Sequence, residues 1–173
     1  MAPTYYRRAT EVRISTALMA LIQAGTFEIP FDLSRGPLPE FKKELLTTTK
    51  VVIVPQKKEA DSVDRVRDRI DFDIGVAVLK SVGLTSNYSR DQETEDLQAL
   101  AEQLQELVLK RQNQILTLPA VLDGSAVEIQ PEHNARLNLP FVQEPILDAK
   151  TLRDPGIFVS LSFFNYHFEA VRA

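Results

Sequence analysis

A chain of 173 residues with 44% hydrophobic and 25% charged content can bury one core without cross-links, in the ordinary balance of a globular domain. The absence of cysteine excludes disulfides and thiolate metal sites. A net charge of −4 argues against a protein that grips phosphates through a basic surplus.

Arg7 and Arg8 precede an apolar stretch, 14–24, in the manner of a leader peptide. Arg13 and Gln23 interrupt it, so it reads instead as part of the fold. No segment approaches the ~20 apolar residues of a membrane-spanning helix, and no membrane partner is expected.

The spacing predicts a first helix over 10–24. Ile14, Ala17, Leu18, Leu21 and Ile22 form one stripe, and Gly25 is the expected left-handed stop. From 27 to 33 the period becomes two, with Phe27, Ile29, Phe31 and Leu33 inward, and Pro30 places this strand at an edge or a bulge. After Gly36-Pro37-Leu38-Pro39, residues 40–48 read as a short helix or an irregular crossing. Lys50-Val51-Val52-Ile53-Val54-Pro55 is a β-branched strand.

Residues 56–69 carry five basic and four acidic side chains in mixed order. They cannot bury themselves and read as a solvated arm or long hairpin loop. In the next strand Ile70, Phe72, Ile74, Val76 and Val78 alternate with Asp71, Asp73, Gly75 and Ala77. The two strands are expected to pair as a hairpin with a charged tip. Ser89 and Gln92 suggest a capping box before a second helix over 91–115, with Leu97, Leu100, Ala101, Leu104, Leu107, Val108 and Ile115 buried.

Residues 117–156 show no sustained period, apart from a possible short strand at 126–129. Five prolines punctuate this excursion: Pro119, Pro131, Pro140, Pro145 and Pro155. The last strand, 157–171, is apolar on both faces and must be covered on both, in part by a neighbouring subunit or by the two helices. The expectation is an α/β (α+β) single domain over 1–173. It has a small, mostly antiparallel sheet and a β-hairpin bearing a long charged loop, packed against two helices.

Little in the sequence signals chemistry. His133 and His167 have no companion at metal-ligand spacing and read as structural. Asp32 followed by Glu40-Phe41-Lys42 loosely follows the order of a Mg²⁺-dependent nuclease, with two carboxylates for the cation and a lysine for developing charge. Glu40 follows two prolines rather than lying in a strand, so a charged turn explains it as well. Asp71 and Asp73 share one strand face, as a cation site would require, but oxygen sites usually need more ligands. The 56–69 tract lacks aromatics for base stacking and suits a register-setting protein contact better than nucleic acid. The expectation is a protein that is not an enzyme and uses no cofactor or metal.

The element order, with Lys50–Pro55 and the run Arg69-Ile70-Asp71-Phe72-Asp73-Ile74-Gly75-Val76-Ala77-Val78-Leu79-Lys80, resembles tail terminator and neck (head-tail connector) proteins of tailed bacteriophages. The resemblance implies a structural virion protein, assembled in the host cytoplasm. It would form a homo-oligomeric, hexameric ring at the head-proximal end of the tail. It would cap tail-tube growth and meet the tail-tube protein on one side and the connector on the other, with DNA only as passing cargo. A tail completion protein or another protein-binding adaptor is the alternative. The interfaces are expected at Lys57, Lys58, Glu59, Asp61, Asp64, Arg65 and Arg67 on the arm, and at Phe141, Phe164 and Tyr166.

Overall fold

The computed structural model describes residues 9–37, 42–83, 90–122, 124–139, 146–147 and 156–171. The expected capping residue Ser89 lies outside them.

Thr10–Ala24 form helix α1, with the bounds that the spacing predicts. Ile14, Leu18 and Ile22 are buried, and Ala17 and Leu21 pack beside them. Gly25 does not turn left-handed: its φ is −76° and its N–H donates to the Ile22 carbonyl at 3.0 Å. A Cβ there would come within 2.8 Å of the Phe27 ring, which would have to shift to admit it.

Of the predicted first strand only Asp32–Arg35 pairs, as β1, parallel to β2 at the sheet edge. Phe27, Ile29, Phe31 and Leu33 still pack against the core. A 3₁₀ turn, Lys43–Leu45, precedes β2.

β2 spans Lys50–Ser62 and β3 spans Arg67–Ser81. The hairpin is present, but the expected long loop is not one. The strands stay paired through the charged tract and leave only residues 63–66 to turn. Cross-strand partners explain this. Asp61 faces Arg69, and β9 flanks β3 along its whole length, so the polar segment gains ladder bonds on both sides. A register shift between Pro55 and Lys58 exchanges the faces of β2. Val51 and Ile53 lie opposite Val78 and Val76, whereas beyond the shift Lys58 lies opposite Phe72.

Helix α2 is Arg90–Leu109, shorter than predicted. Its last carbonyls are taken by side chains: Asn113 Nδ2 donates to the Leu107 carbonyl at 2.6 Å and Gln114 Nε2 to that of Leu109 at 2.8 Å. Leu97, Leu100, Ala101, Leu104 and Val108 are buried as expected, but Ile115 opens a strand and is exposed.

Nor is the 117–156 segment simply irregular. It holds β4 (Ile115–Leu118), β5 (Val121–Leu122), β6 (Glu128–Gln130), β7 (His133–Leu137) and β8 (Ile146–Leu147). Runs of two to five residues are too short to show a period. Ala126 has a positive φ of 64° and turns the chain, which delays β6 to Glu128.

β9 is Ile157–Val171, as the alternation predicts. The main sheet has seven strands in the order β1-β2-β3-β9-β7-β4, with β8 also on β9, while β5 and β6 make a separate pair. Among the described residues only the β1–β2 pairing is parallel. The fold is therefore α+β. One sheet face, carrying Val51, Ile74, Phe158, Phe164, Tyr166 and Phe168, forms the main core with α1 and α2. On the other face Val52, Val54, Ala77, Leu79, Ile157 and Val159 gather under Leu46.

Candidate assembly surface

Beyond Pro55 the sheet continues as an arm built from β2, β3 and β9, with β7 joining β9 at Tyr166 and His167 near its base. Alternation along β3 puts Arg67, Arg69, Asp71 and Asp73 on the face away from the helices. Opposite them on β9 stand Val171, Glu169, His167 and Asn165.

These groups hold one another. Arg69 donates through Nε to Asp71 Oδ2 at 2.9 Å and through a second nitrogen to Oδ1 at 3.2 Å. Asn138 Nδ2 also donates to Asp71 Oδ1, at 3.2 Å, and to Asn165 Oδ1. Asn165 Nδ2 donates to Asp73 Oδ1 at 2.6 Å. Arg69 holds the Asp71 carboxyl below the usual aspartate range, with Asn138 assisting. Asp71 and Asp73 do share a face, yet both are engaged by amide or guanidinium groups. Among the described residues, no three His, Asp or Glu side chains converge into a group able to hold a metal.

A depressed folded pKa contributes stability above the unfolded value, here 3.8, and loses it as pH falls toward the folded one. The Arg69–Asp71 pair is only partly buried, so it is worth about 1 kcal/mol or less. Asp71→Asn should cost about that much at pH 7, and the gap to wild type should shrink below pH 4 in urea titrations. An equal gap at pH 7 and pH 3 would contradict the pairing.

The turn is locked by Asp64. Its carboxylate accepts the N–H of Val66 at 2.8 Å, that of Arg67 at 2.7 Å and Arg67 Nε at 2.9 Å. The backbone donor of Val66 leads the causes that push its pKa down. Arg67 also bridges to Glu169 at 3.1 Å, which ties the turn to β9.

At this tip three valines are exposed: Val63 at 48%, Val66 at 55% and Val171 at 68%. Val63 is hydrogen-bonded to Arg67, and Arg67 lies opposite Val171, so the three occupy adjoining positions. An apolar centre rimmed by ordered charge has the anatomy of a protein interface. Reasoning from charge alone passed over these valines. Two of them interrupt an otherwise polar tract, and that was the available signal.

The other sequence-named residues divide. Lys57 lies in β2, and its side chain is outside the described residues. Lys58 turns to the helix side, while Glu59 and Asp61 share the outer face with Asp71 and Arg69. Arg65 is exposed at the turn. Phe141 is outside the described residues. Phe164 and Tyr166 are fully buried in the chain's own core, so they form no surface. Of the two covers expected, the helices supply it on the face that carries Phe164 and Tyr166. In the nuclease-like set, Asp32 accepts Thr48 Oγ1 at 2.9 Å at the start of β1, Lys42 is exposed before the 3₁₀ turn, and Glu40 lies outside the described residues. His133 Nδ1 meets an Arg13 nitrogen at 3.0 Å, and its ring stacks obliquely on Phe168. His167 lies opposite Asp71, and burial, seconded by Arg69, lowers its pKa. None of the described helices is long and apolar enough to cross a membrane.

No family model matches the chain, and no curated protein matches it. One solved protein chain, named without reference to a function, is similar over 94% of this chain and 92% of its own, at 13% identity and a TM-score of 0.31.

Proposed function

We propose that the chain is a non-enzymatic ring-forming subunit of a phage neck, which caps the tail tube and joins it to the head connector. The arm carries this reading. Arg67 and Arg69 are paired within the subunit, with Asp64, Glu169 and Asp71, and its tip offers apolar surface to a partner. Ordered charge around a small apolar centre sets orientation more than affinity, as repeated docking of identical subunits requires. A ring needs a heterologous contact whose rotation closes, and a tip that meets the body of the next copy makes such a contact. The net charge of −4 leaves a lumen without the basic surplus that would hold passing DNA. Localisation in the virion follows from the same reading.

The test is Val63→Asp with Val66→Asp. Both positions are exposed, so the monomer should keep its circular dichroism and lose less than about 0.5 kcal/mol of stability. Light scattering and negative-stain images, with and without tail-tube protein, should show rings for wild type and none for the variant. Rings from the variant would overturn the role of the tip. A wild-type monomer in both conditions would overturn the ring.

A further inference from the structure

The helix-side face of the sheet extends beyond the start of α1. There Ile70, Phe168 and Ala170 line a cavity of about 730 Å³, together with Ile129 and Gln130 from the small β5–β6 pair. This volume lies within the ~300–1,000 Å³ usual for small-ligand sites. The register shift at Pro55 brings Lys58 and Ala60 to the same cavity, and Thr10 presents the positive end of α1 to it.

Arg13 also lines this space and is only 3% exposed. Its Nε donates to the Pro119 carbonyl at 3.1 Å, and Nη2 donates to the Pro131 carbonyl at 2.6 Å and to His133 Nδ1 at 3.0 Å. Those acceptors are all neutral. Arginine keeps its proton, so His133 accepts at Nδ1 and carries its own proton on Nε2. The two Nη1 hydrogens have no protein acceptor, and Arg13 has no ion-pair partner, among the described residues. A shielded cation of this kind is stabilised by an anion that reaches its remaining donors.

We propose that this cleft binds a small organic carboxylate with an apolar body. The carboxylate meets Nη1 of Arg13 end-on, because Nε and Nη2 are committed elsewhere and no bidentate fork is left. The body lies on Ile70, Phe168 and Ile129. Asp68 and Glu128 balance Arg13 and Lys58 around the cavity, which favours a monoanion over a doubly charged phosphate. The cleft uses the helix-side face of the arm and borders Val171 of the tip, whereas Val63 and Val66 do not line it, so the two proposals are tested by different substitutions.

The experiment titrates the full-length, ¹⁵N-labelled chain with phenylacetate and follows amide shifts. Saturable shifts should centre on residues around Arg13, Gln130, His133 and Phe168. Phenylacetamide and inorganic phosphate should each bind at least tenfold more weakly. Ala60→Trp fills the cleft from an exposed strand position without touching Arg13. It should leave the spectrum folded and weaken phenylacetate at least tenfold. Absence of saturable shifts, equal binding of the amide, tighter binding of phosphate, or unchanged binding by a folded Ala60→Trp protein would each overturn the proposal.

Discussion

Arg13→Ala should lower folding stability by about 3 kcal/mol, one of the largest losses available to a single polar change in this chain. One guanidinium on α1 holds two distant connections, the Pro119 carbonyl between β4 and β5 and the Pro131 carbonyl between β6 and β7. A hydrogen bond from a charged donor contributes about 1.5–3 kcal/mol, and the alanine variant also leaves acceptors unpaired where little water reaches. The three bonds share one side chain, so their losses overlap rather than add. Burial also lowers the pKa of Arg13, but the guanidinium stays charged throughout the accessible pH range. Arg13→Lys should recover only part of the loss, since one ammonium cannot span both carbonyls with fixed geometry. Urea denaturation at pH 7 measures both. A loss below about 1 kcal/mol for Arg13→Ala would show that the strap is not what positions these strands.

The same residue marks a limit of reading from sequence. Arg13 was legible only as an interruption in an apolar stretch, because its acceptors lie more than a hundred positions away. What repeats over many residues was legible. The stripe from Ile14 to Ile22 gave α1 its bounds, and the alternation from 157 to 171 gave β9 its own. For the charged tract the sequence left an arm and a loop both open, because its order comes from partners across the sheet, such as Asp61 with Arg69, and not from local propensity. The end of α2 was misread for another reason. Leucine spacing runs on to Ile115, but the amides of Asn113 and Gln114 cap the helix before that spacing ends. β9 showed that both of its faces must be covered. It could not show that the cover on the aromatic face comes from the chain's own helices.

That point has a sharp test. Phe164→Ala should cost about 4 kcal/mol, whereas Tyr166→Phe should stabilise the chain by about 1 kcal/mol. Phe164 is 1% exposed and belongs to the core beneath the helices, so truncation loses transfer energy and opens a cavity that rigid neighbours on β3 cannot fill. Tyr166 is equally buried, but its hydroxyl oxygen has no hydrogen-bond partner among the described residues. Removing that oxygen keeps the ring packing and relieves an unpaired polar group. Burial alone pushes the phenol pKa well up from 10.0. The unfolded chain therefore releases this proton near pH 10 while the folded chain keeps it, so stability declines as pH rises further. Tyr166→Phe should remove that part of the decline, and its advantage over wild type should widen between pH 9 and pH 11. If both residues were assembly contacts instead, Phe164→Ala would leave the monomer's urea midpoint unchanged and weaken only the ring. A lowered midpoint at protein concentrations too dilute for assembly places Phe164 in the core.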